Sequence, residues 1–287
     1  SKIDGARTVI TKLLMEDKVN LVIGGVTSST TLAIAPLCQR YKVPLVTPSA
    51  TSADVTKVGD YIFRACFIDD FQGSVLARFA FENLKARRAG ILKDVKSNYS
   101  IGLASAFSKT FREKGGEIVN EQVYTVGDTD FRSQLKSIKA SKPDVLFIPG
   151  YYAEVGLIIR QAEQLSIQAP LLGGDGWDSP RLLEIAGASA EGAYYGTHFS
   201  PQRKAPQVQK FVSAFKQKYN EEPDGVAALG YDALRLAVET ISKAGTTEGA
   251  KVREQLAKTV NFPGITGNIT IDENRNAKKP IIVLKIE

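Results

Sequence analysis

Short apolar runs alternate with longer amphipathic segments along most of the 287-residue chain. Segment 4–17, for example, carries Ala6, Ile10 and Leu14 at helical spacing, and the apolar run 19–23 follows it. This alternation predicts an α/β protein, built as two similar lobes in series, each with a parallel sheet covered by helices. Helices are predicted at 4–17, 28–41, 69–87, 99–114, 130–140, 153–165, 206–219, 226–243 and 248–258. Strands are predicted at 19–23, 43–46, 61–66, 89–93, 117–124, 144–148, 170–172, 193–198 and 281–286, and segment 262–272 is left as one extended piece.

Composition excludes several classes of protein. Hydrophobic residues make up 43% and charged residues 24% of the chain, which is typical of an ordinary soluble protein. No apolar run is long enough to span a bilayer, and no secretory signal is visible. The net charge of +6 comes from scattered basic residues without interleaved aromatic residues, so we expect no nucleic-acid partner.

Cysteine and histidine are too scarce for the usual catalytic or metal sites. Cys38 and Cys66 could form one bridge, but two buried free thiols are favoured. The single histidine, His198, lies in a strand-like run and is interpreted as structural. Because nucleophile-elbow, phosphate-loop and dinucleotide motifs are also missing, we expect no enzyme, no metal and no cofactor.

Two strand-to-helix turns rich in small hydroxyl residues follow one another. The first is segment 24–31, Gly-Gly-Val-Thr-Ser-Ser-Thr-Thr, and the second is segment 47–52, Thr-Pro-Ser-Ala-Thr-Ser. Serine and threonine cap helix N-termini, and the free N–H groups there attract anions. Since ligands of open parallel sheets bind beyond the carboxyl ends of the strands, the pair of turns predicts a carboxylate site. The alternative is that every hydroxyl only caps its own helix.

The chain resembles the type I periplasmic binding proteins for amino acids, and in particular the leucine/isoleucine/valine-binding proteins of ABC importers. The resemblance covers essentially the whole chain. It is carried by the two hydroxyl-rich turns and by three further segments, which are Asn98–Gly102 (Asn-Tyr-Ser-Ile-Gly), Pro149–Glu154 (Pro-Gly-Tyr-Tyr-Ala-Glu) and Gly173–Gly176 (Gly-Gly-Asp-Gly).

This resemblance implies two doubly wound, Rossmann-like lobes with a ligand cleft between them. On the family template lobe 1 comprises 1–94 and 224–273, and lobe 2 comprises 95–223 and 274–287. The implied function is to capture an amino acid, with a branched-chain or small aliphatic one expected, by closure of the lobes. The implied partner is the membrane permease of an ABC importer. We therefore expect a periplasmic or extracellular location, with a lipid anchor possible in the precursor.

The resemblance also assigns polar contacts to an amino-acid ligand. Ser29 and Thr51 match positions that hold the carboxylate through hydroxyl and backbone N–H groups, and Ala50 lies in the same turn. Ser49 matches the position whose carbonyl accepts from the ammonium group. Asp175 matches the acidic residue that completes the ammonium site, where the family often has glutamate. Without the resemblance, Asp175 would be interpreted as a turn residue between glycines.

Aromatic residues complete the expected site. Tyr99 and Tyr152 match positions in lobe 2 that close over the ligand. Trp177, two residues beyond the acidic turn residue, is included as a candidate that either lines the cleft or packs beneath it. Phe71 and Tyr231 are candidates for contacts on the hinge side, but they are interpreted as core residues rather than as part of the site.

One part of the family pattern is missing. Family members begin with a strand, a helix and a second strand before the helix that starts here at Asp4. Strand 19–23 is therefore expected to be unpaired on one side, and a monomer is expected only if the missing unit is supplied. The alternative function is the ligand-sensing domain of a receptor or regulator on the same fold, although neither a helix-turn-helix nor a membrane span is visible.

Overall fold

The computed structural model describes residues 3–287 as alternating helices and strands, as predicted from the sequence. The helices are α1 (Ile3–Met15), α2 (Ser28–Tyr41), α3 (Asp54–Lys57), α4 (Asp69–Glu82), α5 (Asn98–Glu113), α6 (Arg132–Ala140), α7 (Tyr152–Gln164), α8 (Pro180–Ala186), α9 (Pro206–Tyr219), α10 (Gly225–Ala244) and α11 (Gly249–Ala257). The strands are β1 (Val22–Ile23), β2 (Leu45–Thr47), β3 (Ile62–Arg64), β4 (Arg88–Asp94), β5 (Glu117–Tyr124), β6 (Val145–Ile148), β7 (Leu171–Gly173), β8 (Tyr194–Thr197), β9 (Phe262–Gly264), β10 (Gly267–Ile271), β11 (Ala277–Lys278) and β12 (Ile282–Lys285).

The chain forms two compact units, each made of two segments. Unit 1 comprises the residues through Ile68 together with His198–Pro280, and unit 2 comprises Asp69–Thr197 together with Ile281–Glu287. The chain therefore passes three times from one unit to the other.

These boundaries correct the predicted ones, which lay after residues 94, 223 and 273. β4 pairs with β5 and β6, and α4 packs on α5, so both elements belong to unit 2 rather than to lobe 1. Residues of α9 share an apolar cluster with residues of α10, which places α9 in unit 1. β11 belongs to unit 1 because it pairs with β10 of that unit. The prediction followed the family template, whereas strand pairing and side-chain packing decide the actual boundaries.

Unit 1 is built on a parallel sheet of order β1-β2-β3. Its first strand is an edge strand, as expected for segment 19–23: within residues 3–287, β1 pairs only with β2. Segment 262–272, which the sequence left as one extended piece, folds as the antiparallel pair β9 and β10. The carboxyl ends of β1 and β2 lead directly into the two hydroxyl-rich turns.

Unit 2 is built on a six-stranded sheet of order β12-β8-β7-β6-β4-β5. Its strands are parallel except for β12, which runs antiparallel to β8. Ile91 and Phe147 join one apolar cluster, whereas their neighbours Leu92 and Ile148 join another. Because successive side chains of a strand point to opposite faces, the two clusters cover the two faces of the sheet. This explains why β6 and residues 89–92 of β4 are continuous apolar runs.

Cys38 and Cys66 are buried and are not joined by a disulfide bond, as favoured from the sequence. Burial raises the pKa of the Cys38 thiol to about 12, which makes it unreactive at neutral pH. His198 is also buried and stacks on Phe67, with ring centroids 3.6 Å apart and an interplanar angle of 20°. These residues belong to the packing of unit 1.

A buried lysine is held by a polar network in unit 1. Lys279 Nζ donates to the carbonyl of Ala65 (3.3 Å) and to Thr266 Oγ1, which in turn donates to Asp232 Oδ2 (2.6 Å). Burial lowers the pKa of Lys279 to about 8, and the carboxylate of Asp232 opposes this shift. The network therefore holds a lysine whose charge is costly in the folded state.

We predict that this lysine makes unit 1 more stable as the pH rises from about 8 to about 10. Below pH 8 Lys279 is charged in both states; between pH 8 and 10.5 the unfolded chain binds more protons, so the free energy of unfolding increases. Urea unfolding at pH 7.5 and 9.5 should show that the free energy of unfolding of wild type, relative to that of Lys279→Met, increases by about 2 kcal/mol between the two pH values. The exposed neighbour gives the control variant Lys278→Met, which should show no such gain. An equal difference at both pH values would contradict the prediction.

Candidate functional site

The two hydroxyl-rich turns of unit 1 are joined by hydrogen bonds to backbone carbonyls. The carbonyl of Gly25 accepts from Thr31 Oγ1 (2.9 Å) and from Thr47 Oγ1 (2.5 Å). Ser49 Oγ donates to the carbonyl of Val26 (2.8 Å). Gly25 has a φ of +71°, and a Cβ there would lie 2.1 Å from Thr31 Oγ1. The close approach therefore requires glycine at this position.

A further bond joins the turns where α2 begins. Ser28 Oγ accepts from the N–H of Ser52 (3.1 Å). The N-cap of α2 is Thr27, whose Oγ1 accepts from the N–H of Thr30 (3.4 Å). Ser29, the second residue of the helix, is half-buried and is not the capping residue. The simple alternative, in which every hydroxyl only caps its own helix, therefore does not describe these turns.

The second turn brings Ala50 and Thr51 next to these groups, and both are buried. The N–H of Ala50 donates to Thr47 Oγ1 (3.1 Å), and its carbonyl accepts from Arg64 (2.6 Å). Within residues 3–287, neither the N–H nor the hydroxyl of Thr51 hydrogen-bonds to another residue. The structure thus places the predicted Ser29, Ala50 and Thr51 on two cross-linked turns, with N–H and hydroxyl donors suited to a carboxylate.

In unit 2, Asp175 lies in a single 3₁₀ turn after β7 and is held by Gln72 of α4. The N–H of Asp175 donates to Gln72 Oε1 (2.8 Å), and Gln72 Nε2 donates to Asp175 Oδ1 (2.9 Å). The Gln72 side chain is fully buried. It was missed from the sequence, where the only signal was a polar residue on the face of α4 that carries Leu76 and Ala80.

Tyr99 of α5 packs against the same turn. Its hydroxyl oxygen accepts from the N–H of Gly176 (3.0 Å). Its ring lies 5.0 Å from the ring of Tyr151, with an interplanar angle of 30°. Burial raises the pKa of Tyr99 well above its usual value, and the carboxylates of Asp175 and Asp69 raise it further. The phenol is therefore neutral throughout the physiological range.

The glycines of the turn are required by close packing. A Cβ on Gly173 would lie 2.0 Å from Trp177 Cε2, and one on Gly174 would lie 2.6 Å from the Tyr99 hydroxyl. Trp177 itself is buried in the apolar cluster of unit 2, and its Nε1 donates to the carbonyl of Ile148 (3.0 Å). Of its two expected roles, lining the cleft or packing beneath it, the structure favours packing.

Three other aromatic predictions need comment. Tyr152, the first residue of α7, packs against the apolar cluster that contains Trp177, whereas its neighbour Tyr151 is the residue that contacts Tyr99. The expectation that Phe71 and Tyr231 are core residues is wrong, because each is 41% exposed. Tyr151 was not singled out from the sequence, since alternation alone does not decide which of two adjacent tyrosines faces a given neighbour.

Two kinds of feature are absent from the residues that the structure describes: metal-binding clusters and membrane-spanning helices. In residues 3–287, no group of three or more histidine, cysteine, aspartate or glutamate side chains is arranged to hold a metal ion. No described helix has the length and the apolar character needed to cross a bilayer.

Comparisons with known proteins identify the family of the chain. The sequence model of the family described as "Periplasmic binding protein" matches residues 1–287. The chain belongs to this family. It is 32% identical over 268 residues to a leucine-, isoleucine-, valine-, threonine- and alanine-binding protein of Pseudomonas aeruginosa, covering 92% of this chain and 70% of that relative.

Two solved structures of binding proteins superpose over 100% of the chain. The leucine-binding protein LivK of Thermotoga maritima has a TM-score of 0.97 and 41% identity, and 82% of its chain is covered. The branched-chain amino-acid transporter protein LivJ of Streptococcus pneumoniae, in complex with isoleucine, has a TM-score of 0.93 and 34% identity, with 81% covered. The expected fold of the type I periplasmic binding proteins is thereby confirmed, and the chain is a solute-binding protein.

We predict that Gly173→Ala destabilises unit 2, because the new methyl group overlaps the ring of Trp177. Overpacking of this kind typically costs about 1–3 kcal/mol. Trp177 is the only tryptophan, so unfolding followed by its fluorescence reports on unit 2. Gly230→Ala in α10 of unit 1 is the control for an added methyl group, since a Cβ there meets no atom within 4 Å, and it should leave the fluorescence transition of unit 2 unchanged. Unchanged stability of Gly173→Ala would show that the ring relaxes freely.

Proposed function

We propose that this periplasmic binding protein binds an amino acid with a branched-chain or other small aliphatic side chain. The observation that carries the proposal is a division of chemistry between the two units. Unit 1 presents neutral hydrogen-bond donors on two cross-linked turns, and unit 2 presents a carboxylate, Asp175, fixed by a buried amide. A zwitterion needs one set for its carboxylate and the other for its ammonium group.

The ligand carboxylate is assigned to unit 1. Ser29 and Thr51 supply hydroxyl and N–H donors, and Ala50 shares the turn. Neutral donors at the start of a helix bind a carboxylate well, because the helix dipole adds to the hydrogen bonds. The carbonyl of Ser49 is assigned to the ligand ammonium group. Within the described residues 3–287 that carbonyl accepts no hydrogen bond, which supports the assignment.

The ligand ammonium group is assigned chiefly to Asp175. A buried ammonium requires a charged partner, and the two bonds from Gln72 hold the carboxylate in one orientation. Tyr99 and Tyr152 are assigned to the aliphatic part of the ligand. Aromatic rings provide apolar area with little loss of side-chain entropy, which suits that role.

The proposed cellular role is delivery of the amino acid to the membrane permease of an ABC importer, outside the cytoplasmic membrane. The Streptococcus pneumoniae relative is described as a substrate-binding protein of a branched-chain amino-acid transporter, which supports this role. The role needs no chemical step. Mass spectrometry should recover leucine unchanged after prolonged incubation with the protein, and conversion to any product would contradict the proposal.

We expect Asp175→Ala to weaken leucine binding by about 2–5 kcal/mol, because it leaves the ammonium group without its charged partner. Asp175→Asn keeps the shape and the acceptor for Gln72 but removes the charge, so it should lose a similar amount. Isothermal titration with leucine measures both. The deaminated analogue 4-methylpentanoate, which has no ammonium group, should bind wild type weakly. Its affinity should increase with either substitution.

The surface substitution Asp130→Asn is the matched control for this series and should leave the affinity unchanged. Ser29→Ala and Thr51→Ala should each cost only about 0.5–1.5 kcal/mol, because the backbone donors of the turns remain. A larger loss in these variants than in Asp175→Ala would reverse the assigned ranking. If leucine, isoleucine, valine and alanine all fail to bind wild type, the proposed function is wrong.

Gln72→Met should weaken leucine binding by about 1–2 kcal/mol without touching the ligand, because it removes both bonds that orient Asp175. The affinity for 4-methylpentanoate, which has no ammonium group, should change little. Gln122→Met removes a side-chain amide that bonds elsewhere in unit 2, to Asn120 and Ser137, and serves as the control. Equal losses for both ligands would mean that Gln72 acts on the general stability of the turn.

A further inference from the structure

Arg64, at the end of β3, is a fully buried arginine whose side chain contacts the second turn of unit 1. One terminal nitrogen donates to the carbonyl of Ala50 (2.6 Å), and the other donates to the carbonyl of Ser52 (2.8 Å). Burying a guanidinium group is costly, and charge-assisted hydrogen bonds of this kind help to offset the cost. The planar fork of arginine gives each carbonyl its own nitrogen donor in a fixed geometry, whereas lysine has only a single nitrogen.

Together with a bond from Cys66 Sγ to the carbonyl of Ala50 (3.4 Å), these two bonds fix which way the peptide groups of the turn face. In a trans peptide the carbonyl and the following N–H point in opposite directions, and residues 3–287 contain no cis peptide bond. With the Ala50 carbonyl turned towards Arg64, the N–H of Thr51 faces the opposite way. The Ser52 carbonyl orients the N–H of Ala53 in the same manner. The guanidinium group therefore sets the direction of two donors that it does not contact.

The charge of Arg64 adds to this orientation. A cation bonded to the carbonyl of a peptide group polarises that group, so its N–H becomes a stronger donor. Cooperative strengthening of this kind is of the order of 10–30% per bond. The Thr51 N–H belongs to the same peptide group as the Ala50 carbonyl, which accepts from Arg64, so this N–H becomes a stronger donor.

We propose that Arg64 is a positioning residue for the ligand carboxylate: it holds the second turn with the Thr51 N–H aimed at that carboxylate and strengthens the bond. The inference rests on the proposed amino-acid function, since it concerns the same turn. In this proposal Arg64 acts through the turn, whose carbonyls accept its hydrogen bonds, and not by contact with the ligand. Its effect is confined to ligands that carry a carboxylate group.

Isothermal titration of leucine and leucinamide, which differ at the carboxylate group, tests the inference. In wild type the ratio of the two dissociation constants should strongly favour leucine. Arg64→Met should reduce that ratio at least tenfold, because an oriented, polarised donor to a charged group is lost. Arg64→Lys keeps the charge and one possible bond, and should recover part of the ratio. A purely structural role would weaken both ligands equally and leave the ratio unchanged, which would overturn the inference.

Two controls keep the outcomes distinct. Arg253→Met removes another arginine of unit 1, one that pairs with Asp60 instead of the turn, and should leave the ratio unchanged. If circular dichroism shows that Arg64→Met does not fold, the ratio measured with Arg64→Lys decides, and a wild-type ratio there overturns the inference. Failure of wild type itself to bind leucine or its relatives would refute the proposed function, a result visible before any variant is made.

Discussion

The carbonyl of Gly25 is the point on which the arrangement of the two hydroxyl-rich turns of unit 1 depends. It accepts one hydroxyl from the helix that follows β1 and another from the turn that follows β2. A single backbone oxygen thus connects two turns that are separated in sequence but adjacent in the sheet. The other cross-links, from Ser49 to Val26 and from Ser52 to Ser28, depend on this alignment. Side chains that would otherwise serve only as local caps become one connected surface.

In unit 2 the acidic turn is also held in place by side chains of other elements, but the groups are different. Its acidic turn is short and rich in glycine because the side chains of Trp177 and Tyr99 lie too close to leave room for a Cβ on Gly173 or Gly174. A buried amide, Gln72, and a buried phenol, Tyr99, each hydrogen-bond to its backbone. In both units polar side chains of other elements therefore hydrogen-bond to the backbone of the turn. Such support restricts a turn to one conformation, which lowers the entropy lost when a ligand binds.

Much of the fold could be predicted from the sequence, because it depends on local patterns. The alternation of strands and helices and the two hydroxyl-rich turns follow from residues close together in the chain, whereas the edge position of β1 was implied by the family resemblance. The unit boundaries could not, since they depend on which strands pair. Gln72 was missed because its partner, Asp175, lies 103 positions away. Arg64 was missed because a charged residue in a short apolar strand signals burial but does not identify its acceptors.

The positions of these two supports have a consequence for how the chain can change length. Arg64 ends β3 in unit 1, and Gln72 lies in the first turns of α4 in unit 2, with one of the three connections between them. An insertion or deletion inside β3 or in the first turns of α4 would move the supporting side chain to another face of its own element, so that it no longer reaches its turn. Natural variation and engineered insertions should therefore accumulate in surface loops and leave the lengths of these two elements constant.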